Sequence, residues 1–180
     1  MPAGPLETSL VEHEVRVTAR PEIVFAYFTD PARMVRWMGA EAMLDPRPGG
    51  ICRIAFQPSS ATVEALAKTF SPARNPHEMD GPGVMMGEFV EVEPYERIAF
   101  TWGWEQEALV TPPQSTLVEV SLVSDGEDTI VHLAHRRLPA ASIDFHRAGW
   151  SHYLPRLVIA AVGGDPGPDP WQVAGHEQSR

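Results

Sequence analysis

The histidines are the residues of this chain whose chemistry could act near neutral pH. There are seven of them, and His135 and His146 fall in segments predicted to face the interior. His135 shares strand parity with Leu133. His146 lies one helical turn before Trp150. The two rings could meet across the gap between the sheet and the helix. Such a pair could orient a ligand or transfer a proton, or each ring could be structural and bonded to a buried polar group. The sequence leaves both interpretations open.

The histidine spacings do not fit a metal site. His132 and His135 lie on one predicted strand with opposite parity, so their side chains point to opposite faces. His146 and His152 are separated by roughly 240° around a helix axis. The single cysteine, Cys52, lies in an apolar strand pattern typical of a small buried side chain. We therefore predict no metal, no internal disulfide, no cofactor and no catalytic cysteine.

Aromatic residues form a second group around these histidines. In the segment 97–104, RIAFTWGW, the alternation places Phe100, Trp102 and Trp104 on one face of a strand. The segment HRAGWSHYL near the C-terminus supplies an aromatic helix as the opposing surface. These rings either fill a core or line a cavity, and we predict a cavity between sheet and helix. The candidate ligand-binding residues are Phe56, Phe100, Trp102, Trp104, Val118, Leu133, His135, His146, Trp150 and Tyr153.

The elements that position these residues follow an α+β pattern. Two short helices follow the first strand, one opened by Pro21 and the second capped by Asp30. The last element is a long helix over 140–162, in which Pro155 is expected to cause a kink. The predicted strands are 9–18, 51–56, 84–92, 97–104, 115–123 and 129–135.

The domain is predicted to span residues 9–162, between a flexible lead-in at 1–8 and a flexible tail at 163–180. Inside the domain, residues 57–82 form a long insert with an amphipathic helix at 62–70, and this insert is a candidate lid. Trp171 in the Gly- and Pro-rich tail either docks on the body or on a partner, or is an exposed indole.

Charge and hydropathy exclude several classes of partner. The formal net charge of -10 argues against nucleic acid, which requires a basic face, and against docking on anionic lipid. The longest apolar run, 157–162, is far shorter than the ~20 residues of a membrane span. No signal-peptide pattern opens the sequence, so a cytoplasmic location is expected.

Several stretches in fixed order resemble one superfamily. They are PEIVFAYFTDPARMVRW, RPGG, EFVEVEPYERIAFTWGW, the segment 115–126, VHLAHRRLP and the segment 146–157. Together they resemble the START-like, or SRPBCC, superfamily, in its branch of homologues of the heat-shock-protein ATPase activator. The resemblance implies a helix-grip fold, in which about seven antiparallel strands wrap around a long C-terminal helix. It also implies a further strand near 41–45, whereas the long insert and Pro155 depart from the branch.

Three functions follow from these observations. The first is binding of a small hydrophobic or amphipathic molecule in the cavity, with no catalysis demanded by the sequence. The second is a co-chaperone-like protein-binding module with a role in the stress response, which the resemblance implies. The third is an enzyme that uses His135 or His146 as a general acid or base. The resemblance predicts the fold more strongly than the chemistry, because one fold serves many functions.

Overall fold

The computed structural model describes residues 9–70, 82–106 and 111–173. Within these ranges seven strands form one antiparallel sheet with the order β1-β7-β6-β5-β4-β3-β2. The strands are β1 Val11–Val17, β2 Glu41–Leu44, β3 Ile51–Phe56, β4 Gly83–Glu93, β5 Arg97–Trp102, β6 Thr116–Asp125 and β7 Asp128–Arg136. The helices are α1 Pro21–Thr29, α2 Pro31–Met34, α3 Ser60–Phe70 and α4 Ile143–Ala161.

This architecture confirms the predicted α+β helix-grip fold. From β3 to β7 each strand pairs with its predecessor, and β1 lies at one edge of the sheet, paired with β7. The strand that the resemblance implied is β2, which pairs with β3 at the other edge of the sheet. The long helix α4 covers the inner face of the sheet, so the core lies between them.

The turns that open and close the short helices follow the local sequence. The Asp30 carboxylate accepts a hydrogen bond from the Ala32 N–H at 2.8 Å and thereby caps α2, whose first residue is Pro31. Gly39 follows α2 with φ of 81°, a left-handed conformation that glycine adopts without steric cost. Both features were predicted from the sequence.

The aromatic strand ends two residues earlier than predicted. Strand β5 stops at Trp102 because the chain at Gly103 passes against another backbone segment. A Cβ atom on Gly103 would lie 1.8 Å from the Pro112 carbonyl oxygen, so only glycine fits there. Trp104 then forms an isolated bridge with Met85, and its N–H donates to the Thr111 carbonyl at 2.7 Å.

The long helix also begins later than predicted. Residues 140–142 form a single 3₁₀ turn, and the α-helical bonding of α4 starts at Ile143. Pro155 lies inside α4, which continues to Ala161. The Tyr27 hydroxyl on α1 donates to the Ala160 carbonyl at 2.8 Å and fixes the end of α4 against the first helix. The predicted amphipathic helix of the insert is α3, Ser60–Phe70.

Candidate functional site

A cavity of about 110 Å³ lies between the inner face of the sheet, α4, α3 and the segment 171–172. Its wall is almost entirely apolar, with aromatic rings contributed by β3, the β5 region, α4 and the tail. The wall residues are Met38, Phe56, Pro58, Thr62, Val63, Leu66, Gly83, Trp102, Trp104, Gln106, Phe145, His146, Gly149, Trp150, Tyr153, Trp171 and Gln172.

The structure separates the candidate ligand-binding residues into two groups. The first group lies on the cavity wall and consists of Phe56, Trp102, Trp104, His146, Trp150 and Tyr153. The second group belongs to the buried core rather than to the wall, and each member is at most 2% exposed. It consists of Phe100, Val118, Leu133 and His135.

His135 is held by a continuous chain of hydrogen bonds. The Trp150 Nε1–H donates to His135 Nδ1 at 3.1 Å. The other ring nitrogen, Nε2, lies 2.7 Å from the Thr116 hydroxyl, which donates its own hydrogen to the Trp102 carbonyl at 2.8 Å. A hydroxyl has one hydrogen, so Thr116 must accept from His135 Nε2–H. His135 is therefore a neutral ring protonated on Nε2.

His146 has the opposite tautomer. Its Nε2 accepts from the Trp104 Nε1–H at 3.1 Å, and its Nδ1 lies 2.8 Å from the Ser142 carbonyl oxygen. A carbonyl only accepts, so the ring proton is on Nδ1. The predicted meeting of the two histidines is observed, because the ring centroids of His135 and His146 lie 4.9 Å apart with the rings nearly perpendicular.

Both histidines are held in the neutral form by their surroundings. Burial lowers the pKa of His135 well below its usual value, and the neighbouring His146 adds to the effect. Burial likewise lowers the pKa of His146 to about 4, although the bond to Ser142 opposes it. Charged imidazolium loses its hydration in such a site, which disfavours protonation. Every nitrogen of both rings is already hydrogen-bonded, so neither ring offers a free base. His146 contributes aromatic surface to the cavity wall.

Trp102 lies at the centre of the aromatic cluster. Its ring centroid lies 5.2 Å from that of Trp150, 5.6 Å from that of Trp104 and 5.7 Å from that of His135. Among the described residues, only its Nε1 and the Nε2 of His13 are buried side-chain polar atoms without a hydrogen-bond partner. An unpaired buried N–H is energetically costly. The Trp102 Nε1–H is therefore a donor that an added acceptor group could satisfy.

Sequence reasoning did not assign part of this wall. Helix α3 contributes Val63 and Leu66, α4 contributes Phe145, and the tail contributes Trp171 and Gln172. The amphipathic spacing of α3 indicated an apolar face but did not show what that face covers. Trp171 was conspicuous as an indole in a Gly- and Pro-rich segment, yet its contacts depend on a chain path that no local pattern encodes.

The described ranges hold neither a cluster of metal ligands nor a helix that could span a membrane. In residues 9–70, 82–106 and 111–173, no group of three or more His, Cys, Asp and Glu side chains is placed to hold a metal ion. Cys52 is completely buried, and burial raises the pKa of its thiol. No helix in the described part of the chain is long and apolar enough to cross a membrane.

The fold and the cavity define a helix-grip protein of the START-like class. A sequence model described as activator of Hsp90 ATPase homolog 1-like protein matches residues 18–161. The chain therefore belongs to this family, which is part of the START-like, or SRPBCC, superfamily. The resemblance found in the sequence is thus confirmed.

Solved structures agree with this assignment. An AHSA1-like protein from Rhizobium etli is 36% identical, with 100% of this chain and 98% of that chain covered and a TM-score of 0.64. A protein in the dynemicin biosynthetic locus is 23% identical over 91% of this chain, with a TM-score of 0.65, and this chain spans about half (51%) of its length. An HSP90 activator from Plasmodium falciparum is 19% identical over 86% of this chain and 96% of that chain, with a TM-score of 0.58. The last two similarities show the fold alone. The search of curated proteins found no match.

Proposed function

We propose that this protein binds a small, largely apolar molecule in the cavity and does not transform it. The observation that carries this proposal is an almost wholly apolar cavity between the inner face of the sheet, α4, α3 and the segment 171–172. Burial of apolar ligand surface would supply the affinity. The ring of Trp102 lies on the wall, and its unpaired N–H would orient a polar group of a ligand whose binding exposed that atom.

The volume of the cavity limits the size of a ligand that can bind without movement of the wall. Ligand sites for drug-sized molecules usually have ~300–1,000 Å³, and an engineered apolar cavity of ~150 Å³ accepts benzene. The observed 110 Å³ matches a guest of a single ring or smaller. A larger ligand requires part of the wall to move.

The hydrogen bonds of the histidines support binding rather than acid–base catalysis. A general base needs a nitrogen lone pair within reach of a substrate proton. The lone pair of His135 is directed to Trp150, and that of His146 is directed to Trp104. Proton transfer would therefore require breaking a buried indole–imidazole bond before the reaction. We assign the two histidines to the structure of the wall and core.

A second candidate is a co-chaperone function, favoured by the family match and by the Plasmodium falciparum HSP90 activator of the same fold. In that case an Hsp90-type ATPase would be the partner, and the protein surface rather than the cavity would carry the activity. The two candidates are separated by a variant that fills the cavity and leaves the outside unchanged.

Gly149 provides that variant. It lies on α4 at the cavity wall, and a Cβ added there meets no atom within 4 Å. Gly149→Leu should therefore fill the cavity without removing an existing contact. Ser151→Leu is the matched control, because Ser151 is exposed on the same helix.

The measurement is a ¹⁹F NMR titration with fluorobenzene, a neutral single-ring molecule whose resonance shifts when it enters an apolar protein interior. We expect saturable binding by the wild type and by Ser151→Leu, and loss of binding by Gly149→Leu. Equal binding by all three proteins would contradict the cavity as the site. Stimulation of an Hsp90-type ATPase by the wild type and Gly149→Leu alike would favour the co-chaperone function.

A further inference from the structure

The tail segment 165–173, here named the strap, is joined to the start of the insert by backbone pairing. The Val173 N–H donates to the Gln57 carbonyl at 2.8 Å, and the Ser59 N–H donates to the Trp171 carbonyl at 3.2 Å. Pro58 and Gln172 form an antiparallel bridge between these bonds. The insert and the tail, far apart in sequence, therefore make one continuous cover beside α3.

Trp171 anchors the strap on α4 through ring contacts. Its indole stacks on the His152 imidazole with centroids 3.9 Å apart and an angle of 2° between the planes. It meets Tyr153 edge-on at 6.0 Å. Since Trp171 and Gln172 both lie on the cavity wall, the strap closes the same space that α4 and the sheet enclose.

The carboxylate of Asp169 is one attachment of the strap to the body. Asp169 Oδ1 accepts from His152 Nε2 at 2.8 Å and from the Trp171 N–H at 2.9 Å, while Oδ2 accepts from Gln172 Nε2 at 3.1 Å. Burial alone would raise the pKa of Asp169, but these donors outweigh it and lower the pKa to about 2. The carboxylate is thus charged and bonded on both oxygens.

Arg156 of α4 provides a second attachment at the beginning of the strap. Its guanidinium donates to the Gly167 carbonyl at 2.9 Å and to the Pro166 carbonyl at 3.3 Å. Apart from Trp171, the attachment of the strap is mainly polar, whereas α4 and the sheet share a continuous hydrophobic core. The strap is therefore a wall element that can open without separating α4 from the sheet.

We propose that the strap is a ligand-binding element of the site, a wall that opens by release of Asp169 to admit and free the ligand. The ligand in this statement rests on the proposed function. Trp171 provides a flat apolar surface to the bound molecule. The hydrogen bonds of Asp169 set how often the strap, and Trp171 with it, moves away from the site. The strap thereby determines the residence time of the ligand.

Asp169→Ala tests this proposal, with Asp165→Ala as its matched control. Asp165 is a carboxylate of the same strap, and its side chain accepts from the Gly167 N–H within the strap itself. Trp171→Ala is a second test that leaves the carboxylate in place. Line-shape analysis of the ¹⁹F NMR titration gives the dissociation rate of fluorobenzene from each full-length protein. We expect the rate to rise about tenfold or more in Asp169→Ala and Trp171→Ala, and to stay near wild type in Asp165→Ala.

Hydrogen exchange of the Trp104 indole N–H, followed by NMR, tests the strap without any ligand. This N–H is bonded to His146 at the cavity wall, so its exchange reports water entering the cavity. We expect faster exchange in Asp169→Ala and Trp171→Ala than in Asp165→Ala. Unchanged exchange and unchanged dissociation would overturn the strap proposal. Faster exchange in a protein that binds no fluorobenzene would support the strap as a cover and contradict the proposed ligand binding.

Discussion

The two faces of the sheet carry side chains of opposite character, although the same strands supply both. On β7, His132 and His135 are three residues apart in sequence. The His132 side chain is 50% exposed and lies 3.1 Å from Glu14, whereas His135 is fully buried among aromatic rings. The inner face carries neutral rings with directed hydrogen bonds, and the outer face carries charged side chains in ion pairs. Strand alternation alone separates the two environments.

The outer face is a network of charges across β4, β5, β6 and β7. Arg97 donates to Glu91 at 2.8 Å and to Glu119 at 2.7 Å, and Arg136 also pairs with Glu119. The bond from Arg136, and secondarily that from Arg97, lowers the pKa of Glu119. Water screens such pairs, so each contributes little to stability. Hydrogen bonds on the inner face have no water to replace them, and losing one there has a larger cost.

The largest expected effect is the pH dependence contributed by His146. Its pKa of about 4 in the folded protein lies below the usual 6.5, so the unfolded chain binds the proton more readily. The free energy of unfolding should therefore decrease as pH falls from about 6.5 toward 4, by about 3 kcal/mol for this residue. His135 acts in the same direction. Urea unfolding at several pH values measures the slope.

His146→Gln should have a shallower slope in this range, because glutamine offers Trp104 an acceptor but does not titrate. Ser151→Gln, at an exposed and non-titrating position of the same helix, is the control and should keep the wild-type slope. The same slope in both variants would contradict the assignment of the pH dependence to the inner face.

Thr116→Val should have the next largest effect. Valine has a similar shape but no hydroxyl, so the His135 Nε2–H loses its acceptor. The other tautomer gives no relief, because it would direct a second donor at the Trp150 N–H. We expect a loss of about 1–3 kcal/mol in the free energy of unfolding. Thr116→Ser keeps the hydroxyl and should lose less. A loss in Thr116→Ser with none in Thr116→Val would show that the methyl packing matters and the hydroxyl does not.

Glu119→Gln should have the smallest effect, although it removes charge from two ion pairs. The Glu119 side chain is 19% exposed, and Arg97 keeps its bond to Glu91. We expect a change below about 1 kcal/mol in the free energy of unfolding, decreasing further at about 1 M salt. A larger change that does not respond to salt would mean that the outer network is as important as the inner one.

Much of the fold could be predicted from local sequence. The parity of Phe100, Trp102 and Trp104 placed these rings inward, and the Asp30-Pro31 pair marked the start of α2. These features depend on neighbours along the chain, which is why a single sequence reveals them. Strand β2 was inferred only through the family resemblance, since its four residues carry too little periodicity.

Features of the site that join distant segments could not be predicted in this way. The histidine pair was expected to meet, but its tautomers depend on Thr116 and Ser142, which no spacing rule connects to the rings. The early end of β5 depends on Pro112 passing Gly103.

The sequence by itself determined which side chains face inward, because backbone periodicity is local and hydrophobic burial follows it. Tertiary structure decided which of the inward side chains line the cavity and which fill the core. Phe100 and Trp102 share one face of β5, yet only Trp102 lies on the cavity wall. The tail residue Trp171 completes the same wall. Whether a gap remains depends on how several surfaces meet in three dimensions, and packing of this kind is a property of the assembled fold.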